Sequence, residues 1–355
     1  MPFWFFREVF MLDDASRDQS LRWLEGLAPG YFALVMATGI LAIGFQMIGQ
    51  LWLYEAMSVL TGIFWVVLLL LSAWRLLRFP HAVKIDLLNI RRVFAFFTLV
   101  VATNIVGILF HQHGYPQLAM ACWVMAFLSW SALLYLSFSV LTFLTHPHTV
   151  NVVHGDWLSS ITGTQSLVLL GLIIAPDLGE YADYMLVEVH LLWMLGLIFY
   201  GIFITLFCYR IFFKRFQPED TSPLLWVITG AAAVGTNAGT GLLNGDVHLT
   251  FLLALHPFID GMAMLMWAWA TWWIPMLIIF GIWKHFVRRY PIAYEPAMWS
   301  MVFPLGMYAV ASFRLGLAAE FPPLGWISYL MVWVAFAVWC LTLLGWGYSW
   351  FKQYR

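Results

Sequence analysis

The chain has 355 residues, 63% of them hydrophobic and 10% charged, with a mean hydropathy of +0.85 and a formal net charge of −1. A soluble domain of this length cannot hide so much apolar side chain, so the composition marks a polytopic membrane protein. With no basic run there is no purchase for nucleic acid. Cys122, Cys208 and Cys340 each fall inside apolar segments and show neither a disulfide framework nor metal spacing.

The opening MPFWFFREVF sets aromatics before its first Arg and acids soon after, the wrong order for a cleaved signal peptide. Residues 1–28 read instead as a cytoplasmic segment at the membrane interface, and residues 29–352 as one domain. Within it ten apolar segments run at about 31–47, 51–74, 93–110, 118–143, 158–175, 184–213, 224–243, 258–286, 298–315 and 325–351. A short interfacial piece, 251–255, is set apart from the eighth by Pro257.

The cations orient this array. Arg7, Arg17 and Arg22 precede the first segment, and Arg75, Arg78, Lys84, Arg91 and Arg92 separate the second from the third. Arg210, Lys214 and Arg215 follow the sixth; Lys284, Arg288 and Arg289 follow the eighth; Lys352 and Arg355 end the chain. With ten spans all of these share one side and only Arg314 lies on the other, so the positive-inside rule predicts cytoplasmic termini and a plasma-membrane protein.

Odd segments are short and rich in Gly, Ala, Ser, Thr and Asn, whereas even ones are longer and heavy in Leu, Phe and Trp. Small residues let backbones approach or leave room along a pore, and bulky ones face lipid, so odd helices are expected inside and even ones outside. The odd segments also repeat a motif: MATG (Thr38, Gly39), VATN (Thr103, Asn104), TGTQ (Thr164, Gln165), VGTN (Thr236, Asn237) and, at the corresponding place in the ninth, LGMY (Gly306, Met307). Thr38, Thr103, Thr164, Thr236 and Met307 are spaced by 65, 61, 72 and 71 residues, about one helical hairpin each, as in a quasi-symmetric bundle. These positions are candidate pore-lining residues, their hydroxyls and amides offering weak neutral donors to an anion; the plainer alternative is hydrogen bonding between helices.

In the ninth segment Pro304 removes a backbone donor, which predicts a kink, and Phe303 beside it is either a ring closing a pore or a packed aromatic. Arg314, near the far end, is a pore-mouth candidate that attracts anions, with a surface pair to Glu320 as the alternative.

PGYFALVMATGILAIG (residues 29–44) and WSMVFPLGMYAVAS (residues 299–312) resemble the first and ninth helices of the tellurite-resistance/dicarboxylate transporter family. That family includes the slow-type anion channels of plant guard cells, bacterial TehA proteins and yeast malic-acid permeases. The resemblance implies an all-α fold of ten helices, as five hairpins in a quasi-five-fold ring with odd helices lining a central pore. It further implies a homotrimer, a plug at Phe303, and passage of inorganic anions or C4-dicarboxylates such as malate. The chain departs from relatives with prolines in several inner helices, which leaves Gly39, Gly163, Gly235 and Gly306 as candidate bends.

Two rivals remain. A proton-coupled dicarboxylate or tellurite carrier needs a titratable group in the path, where the inner segments show none; Asp260 is the nearest candidate. A haem-binding redox protein would draw on His111, His113, His146, His148, His154, His190, His248 and His256, most of which lie at segment ends. HExxH, P-loop and GxSxG motifs are absent from the sequence, so no enzyme and no cofactor is expected.

Overall fold

A computed structural model of the protein describes residues 21–144, 155–213 and 217–353. Most of the predicted interfacial segment (residues 1–20) lies outside these, as do His146, His148, His154, Lys214, Arg215 and Arg355. Among the described residues the fold is all-α. The long helices are α1 (Ala33–Met47), α2 (Leu51–Arg78), α3 (Phe97–Gln112), α4 (Pro116–Ser139), α5 (Ser159–Ile174), α6 (Ala182–Phe213), α7 (Val227–Leu243), α8 (His256–Ile282), α9 (Trp299–Ala318) and α10 (Pro323–Gln353). They coincide with the apolar segments of the sequence. Among the described residues eight helical stretches are long and apolar enough to cross a membrane, one of which, Gly155–Phe213, runs α5 and α6 together. The 17-residue α7 is not among them, because Gly, Ala and Thr dominate it and lower its hydropathy.

Local chemistry repeats along the chain. Each odd helix is entered through one tight 3-10 turn: Pro29–Phe32, Val93–Phe96, Gly155–Leu158, Pro223–Trp226 and Pro296–Met298. Proline suits such a start, since its missing N–H would find no helical partner there anyway. The hairpin turns after α1, α3 and α5 each need a left-handed residue, supplied by Gly49, Gly114 and Gly179. After α9 the same conformation falls on Glu320, a residue that takes it only under strain.

Packing follows one rule. Every even helix lies against the odd helix before it and the odd helix after it, α10 closing onto α1. The odd helices pack in sequence, α1 on α3, α3 on α5, α5 on α7, α7 on α9, and α9 back on α1. Burial matches: 78% of the most apolar window of α1 and of α3 is buried, and 72% of that of α9, against 22% to 33% for α2, α4, α8 and α10.

An indole holds each even helix to the next odd one. Trp65 of α2 donates to Thr103 Oγ1 (3.2 Å), Trp130 of α4 to Thr164 Oγ1 (2.8 Å), and Trp193 of α6 to the Gly235 carbonyl (3.0 Å). Trp267 of α8 donates to Ser312 Oγ (2.9 Å) and Trp339 of α10 to Thr38 Oγ1 (3.1 Å).

The odd helices are unbroken. α9 is continuous as helix across Pro304, with the proline ring against Gly230 of α7. The glycines offered by the sequence as bends lie at close approaches: a methyl on Gly306 would meet Ile40 Cγ2 at 2.8 Å, and one on Gly235 would meet Met266 Cε at 3.0 Å.

At the N-terminal ends of the odd helices a buried carboxylate ties four segments together. Asp86, on the short helix Pro80–Leu87, accepts from Arg75 of α2 (2.7 Å) and Arg92 before α3 (2.6 Å), while Arg75 also donates to the Glu25 carbonyl. Replacing Asp86 with Ala leaves the buried Arg75 charge uncompensated, and we expect a loss of about 3–5 kcal/mol in an unfolding titration in detergent. Trp130→Phe keeps the ring and removes only the N–H, so the same titration should show a loss of about 0.6–1.7 kcal/mol.

Candidate functional site

Where the five odd helices face one another they enclose a narrow cavity of ≈ 20 Å³, room for about one water-sized particle. All five contribute to its wall: Ile40 and Ile43 from α1, Val101, Asn104, Ile105 and Ile108 from α3, Ser166 and Leu169 from α5, Val234 and Asn237 from α7, and Phe303, Met307, Val310 and Arg314 from α9. The wall is mostly aliphatic, a surface that sheds water when it narrows to this width. Phe303 is 3% exposed.

The polar groups on this wall are few. Asn104 donates to Ser166 Oγ (2.8 Å), whose own proton goes to the Gly163 carbonyl (2.7 Å). Asn237 has only a long contact from Nδ2 to Met307 Sδ (3.5 Å). The side-chain oxygens of both asparagines are buried and without a partner. Arg314 is half-buried, and no carboxylate among the described residues lies within ion-pair distance of it. The expected alternative, a pair with Glu320, is therefore not formed. α9 continues to Ala318, so Arg314 sits a full turn inside the helix.

Of the residues singled out in the sequence, the structure thus brings Asn104, Asn237, Phe303, Met307 and Arg314 together on one cavity. The threonines turn toward neighbouring helices. Thr38 and Thr164 give their protons to the carbonyls four residues back, of Leu34 and Ser160 (2.8 Å each), and accept from the indoles described above. Thr236 donates to Ala232 (3.1 Å) and Ala263 (3.3 Å), and Thr103 receives Trp65. Gln165 lies against Gly196 of α6 and donates to the Trp193 carbonyl (3.1 Å). Gly39 is packed against Ile105 and Thr61, Gly306 against Ile40, and Pro304 against Gly230. Ser166 and the five tryptophans escaped the sequence reading. A signal for the latter was there: Trp65, Trp130, Trp193, Trp267 and Trp339 recur at the same hairpin period as the threonines.

The described histidines gather no centre. Among the described residues no three His, Cys, Asp or Glu side chains approach as metal ligands would. His190 is buried in α6 with Nδ1 donating to Leu186, and Asp260 is exposed at the start of α8. His111 and His113 instead brace the C-terminal end of α3, His111 to Asp177 (2.8 Å) and His113 to Glu55 of α2 (3.1 Å).

Residues 26–346 match the SLAC1 family, described as voltage-dependent anion channel. The chain belongs to this family. It is an anion or small-solute channel or transporter in a multi-span membrane fold, and the family is one of transporters rather than enzymes. An uncharacterized membrane protein of Mycobacterium tuberculosis is 39% identical over 136 residues, 38% of this chain and 68% of that protein. An uncharacterized transporter of Methanocaldococcus jannaschii is 23% identical over 338 residues, 92% of this chain and 94% of its own length. A second uncharacterized transporter of that organism is 22% identical over 54% of this chain and 55% of its own.

The His113 end of the brace titrates. Hydrogen bonding to the Leu109 carbonyl, aided by Glu55 and opposed by partial burial, raises the His113 pKa above its ordinary 6.5. A raised folded-state pKa means stabilisation that is full below about 6.5 and lost as pH rises through the higher folded value. The expected result is a melting temperature that falls across that window in the wild type, with a shallower fall in His113→Gln.

Proposed function

We propose that this protein passes small anions along the axis of its odd helices, with Phe303 as the gate. The reading rests on one observation above all. A cavity wall to which all five odd helices contribute carries an aromatic ring at one end and, at the other, a guanidinium with no carboxylate partner among the described residues. At 1.5 Å rise per residue the two lie about 16 Å apart along α9. Anions drawn toward Arg314 meet amides, then the ring. The path has no carboxylate among the described lining residues, which favours a passive route over a proton-coupled one.

In this reading the ten helices span the membrane as five hairpins in a quasi-five-fold ring, and residues 29–352 act as one transport unit. The cyclic packing of the odd helices and the recurrence of the indole bond in each repeat support that arrangement. The threonines hold the ring together rather than line the route. The Lys and Arg distribution supports cytoplasmic termini in the plasma membrane, with Arg314 at the outer mouth. The family resemblance implies a homotrimer with one pathway per subunit, which is part of this proposal.

The test is anion flux in planar bilayers or proteoliposomes, wild type against Phe303→Ala. Removing the ring should raise chloride or nitrate flux by at least about tenfold, equivalent to about 1.4 kcal/mol off the barrier. Slow, saturable dicarboxylate exchange that Phe303→Ala leaves unchanged would make this a carrier and the ring mere packing.

A further inference from the structure

The cavity beyond Phe303 holds two buried amides with unsatisfied atoms, an unusual expense in a wall that is otherwise aliphatic. Asn104 is 0% and Asn237 3% exposed, and both line the same ≈ 20 Å³ space as Arg314. Buried side-chain amides normally find partners for both ends, so two unsatisfied ones on a single cavity point to an occupant. We propose that Asn104, Asn237 and Arg314 form a binding site for one small monovalent anion, of the size class of chloride, on the side of Phe303 toward the C-terminal ends of the odd helices. The site rests on the transport reading above and narrows its substrate class.

The chemistry is that of an adjustable donor. A half-turn of a carboxamide exchanges its oxygen for its NH2 without changing its shape. Asn104 then presents Nδ2 to the cavity while its oxygen takes the place against Ser166, whose hydroxyl can donate to it instead of to Gly163. Asn237 surrenders only its long contact to Met307 Sδ. An anion at this level therefore meets two N–H donors, with the Arg314 charge further along the helix. The site is weak by construction, because each amide has another resting partner, and a conducted ion must leave as readily as it arrives.

Room and charge both disfavour a C4-dicarboxylate here. The space suits one water-sized particle, and Arg314 is the single cation on the wall. A second carboxylate would sit unpaired among Ile105, Ile108 and Leu169, where desolvation penalises it heavily.

Two measurements decide the matter. The first is chloride-dependent thermal stabilisation of the purified wild type, which needs no conduction. Half-saturation should move up at least tenfold in Asn237→Asp, which keeps the shape but replaces the donor with a carboxylate. Arg314→Gln should weaken it, Arg314→Lys should restore it, and Asn237→Ser, which retains one donor, should fall between. The second is the chloride-to-malate permeability ratio in the conducting Phe303→Ala background, which should drop at least tenfold on adding Asn104→Leu. Unchanged half-saturation in Asn237→Asp, with an unchanged permeability ratio, overturns the site even where Phe303→Ala conducts. A silent Phe303→Ala protein defeats the gate instead, and the binding measurement on the wild type then still decides the site.

Discussion

The architecture depends on how polar groups are satisfied where no water is available. A hydroxyl inside a membrane helix has one proton to give and lone pairs to fill, and lipid does neither. In this chain Thr38, Thr164 and Ser312 give their proton to the carbonyl one turn back and receive an indole N–H from the neighbouring even helix. Each such pair leaves neither partner wanting. Trp65 makes the same link to Thr103, and in the fourth repeat the indole reaches the Gly235 carbonyl directly, which leaves Thr236 to bond across to Ala263. Because every bond runs from an even helix forward to the next odd one, it joins consecutive hairpins rather than the two arms of one hairpin. Five individually modest interactions therefore set the order of the whole assembly.

That arrangement spends most of the polar character of the odd helices on their outward faces. Their inward faces are left with branched aliphatic side chains, and small residues bring those faces close: Gly39 against Ile105, Gly306 against Ile40, Gly230 against the Pro304 ring. Tight approach of the backbones and an apolar axis have one origin, since the residues that permit contact carry nothing polar. Pro304 fits this picture without a sharp break, its ring occupying the space that Gly230 vacates.

The sequence showed the helices and their alternation plainly, because apolar run length and the contrast of small against bulky residues are one-dimensional signals. The hairpin period was equally visible in MATG, VATN, TGTQ and VGTN. Which way those residues face was not. A four-residue motif covers little more than one helical turn, so Thr103 and Asn104, adjacent in sequence, point about 100° apart, one to Trp65 and one to the cavity. In TGTQ the same fourth position, Gln165, turns to Gly196 and its neighbour Ser166 takes the inward place. A tryptophan read as a lipid-facing side chain by composition proves to be a donor to the next helix, and Trp130, Trp193 and Trp339 are buried, a role that only the partner helix reveals. The apolar run ends near Arg314, but the helix goes on to Ala318 and keeps the residue on the cavity wall.

The placement of Arg314 has an electrostatic reason that reaches beyond its own helix. All five odd helices run in parallel around the cavity, so their C-terminal carbonyl ends gather at one mouth and their N-terminal amides at the other. Each helix end carries roughly half an elementary charge, negative at the C-terminus. Five such ends make the Arg314 mouth unfavourable to anions and the opposite mouth favourable. An axis with no charged side chain would accept anions from one side and resist them at the other. A single guanidinium near the negative mouth offsets part of that field locally, and the absence of a carboxylate partner among the described residues keeps its charge available. The same charge, placed among the N-terminal ends, would deepen a well already present and hold an anion too long. In the proposed route, one cation at the mouth where the backbone opposes the ion, and amides halfway, form the arrangement that would level the path.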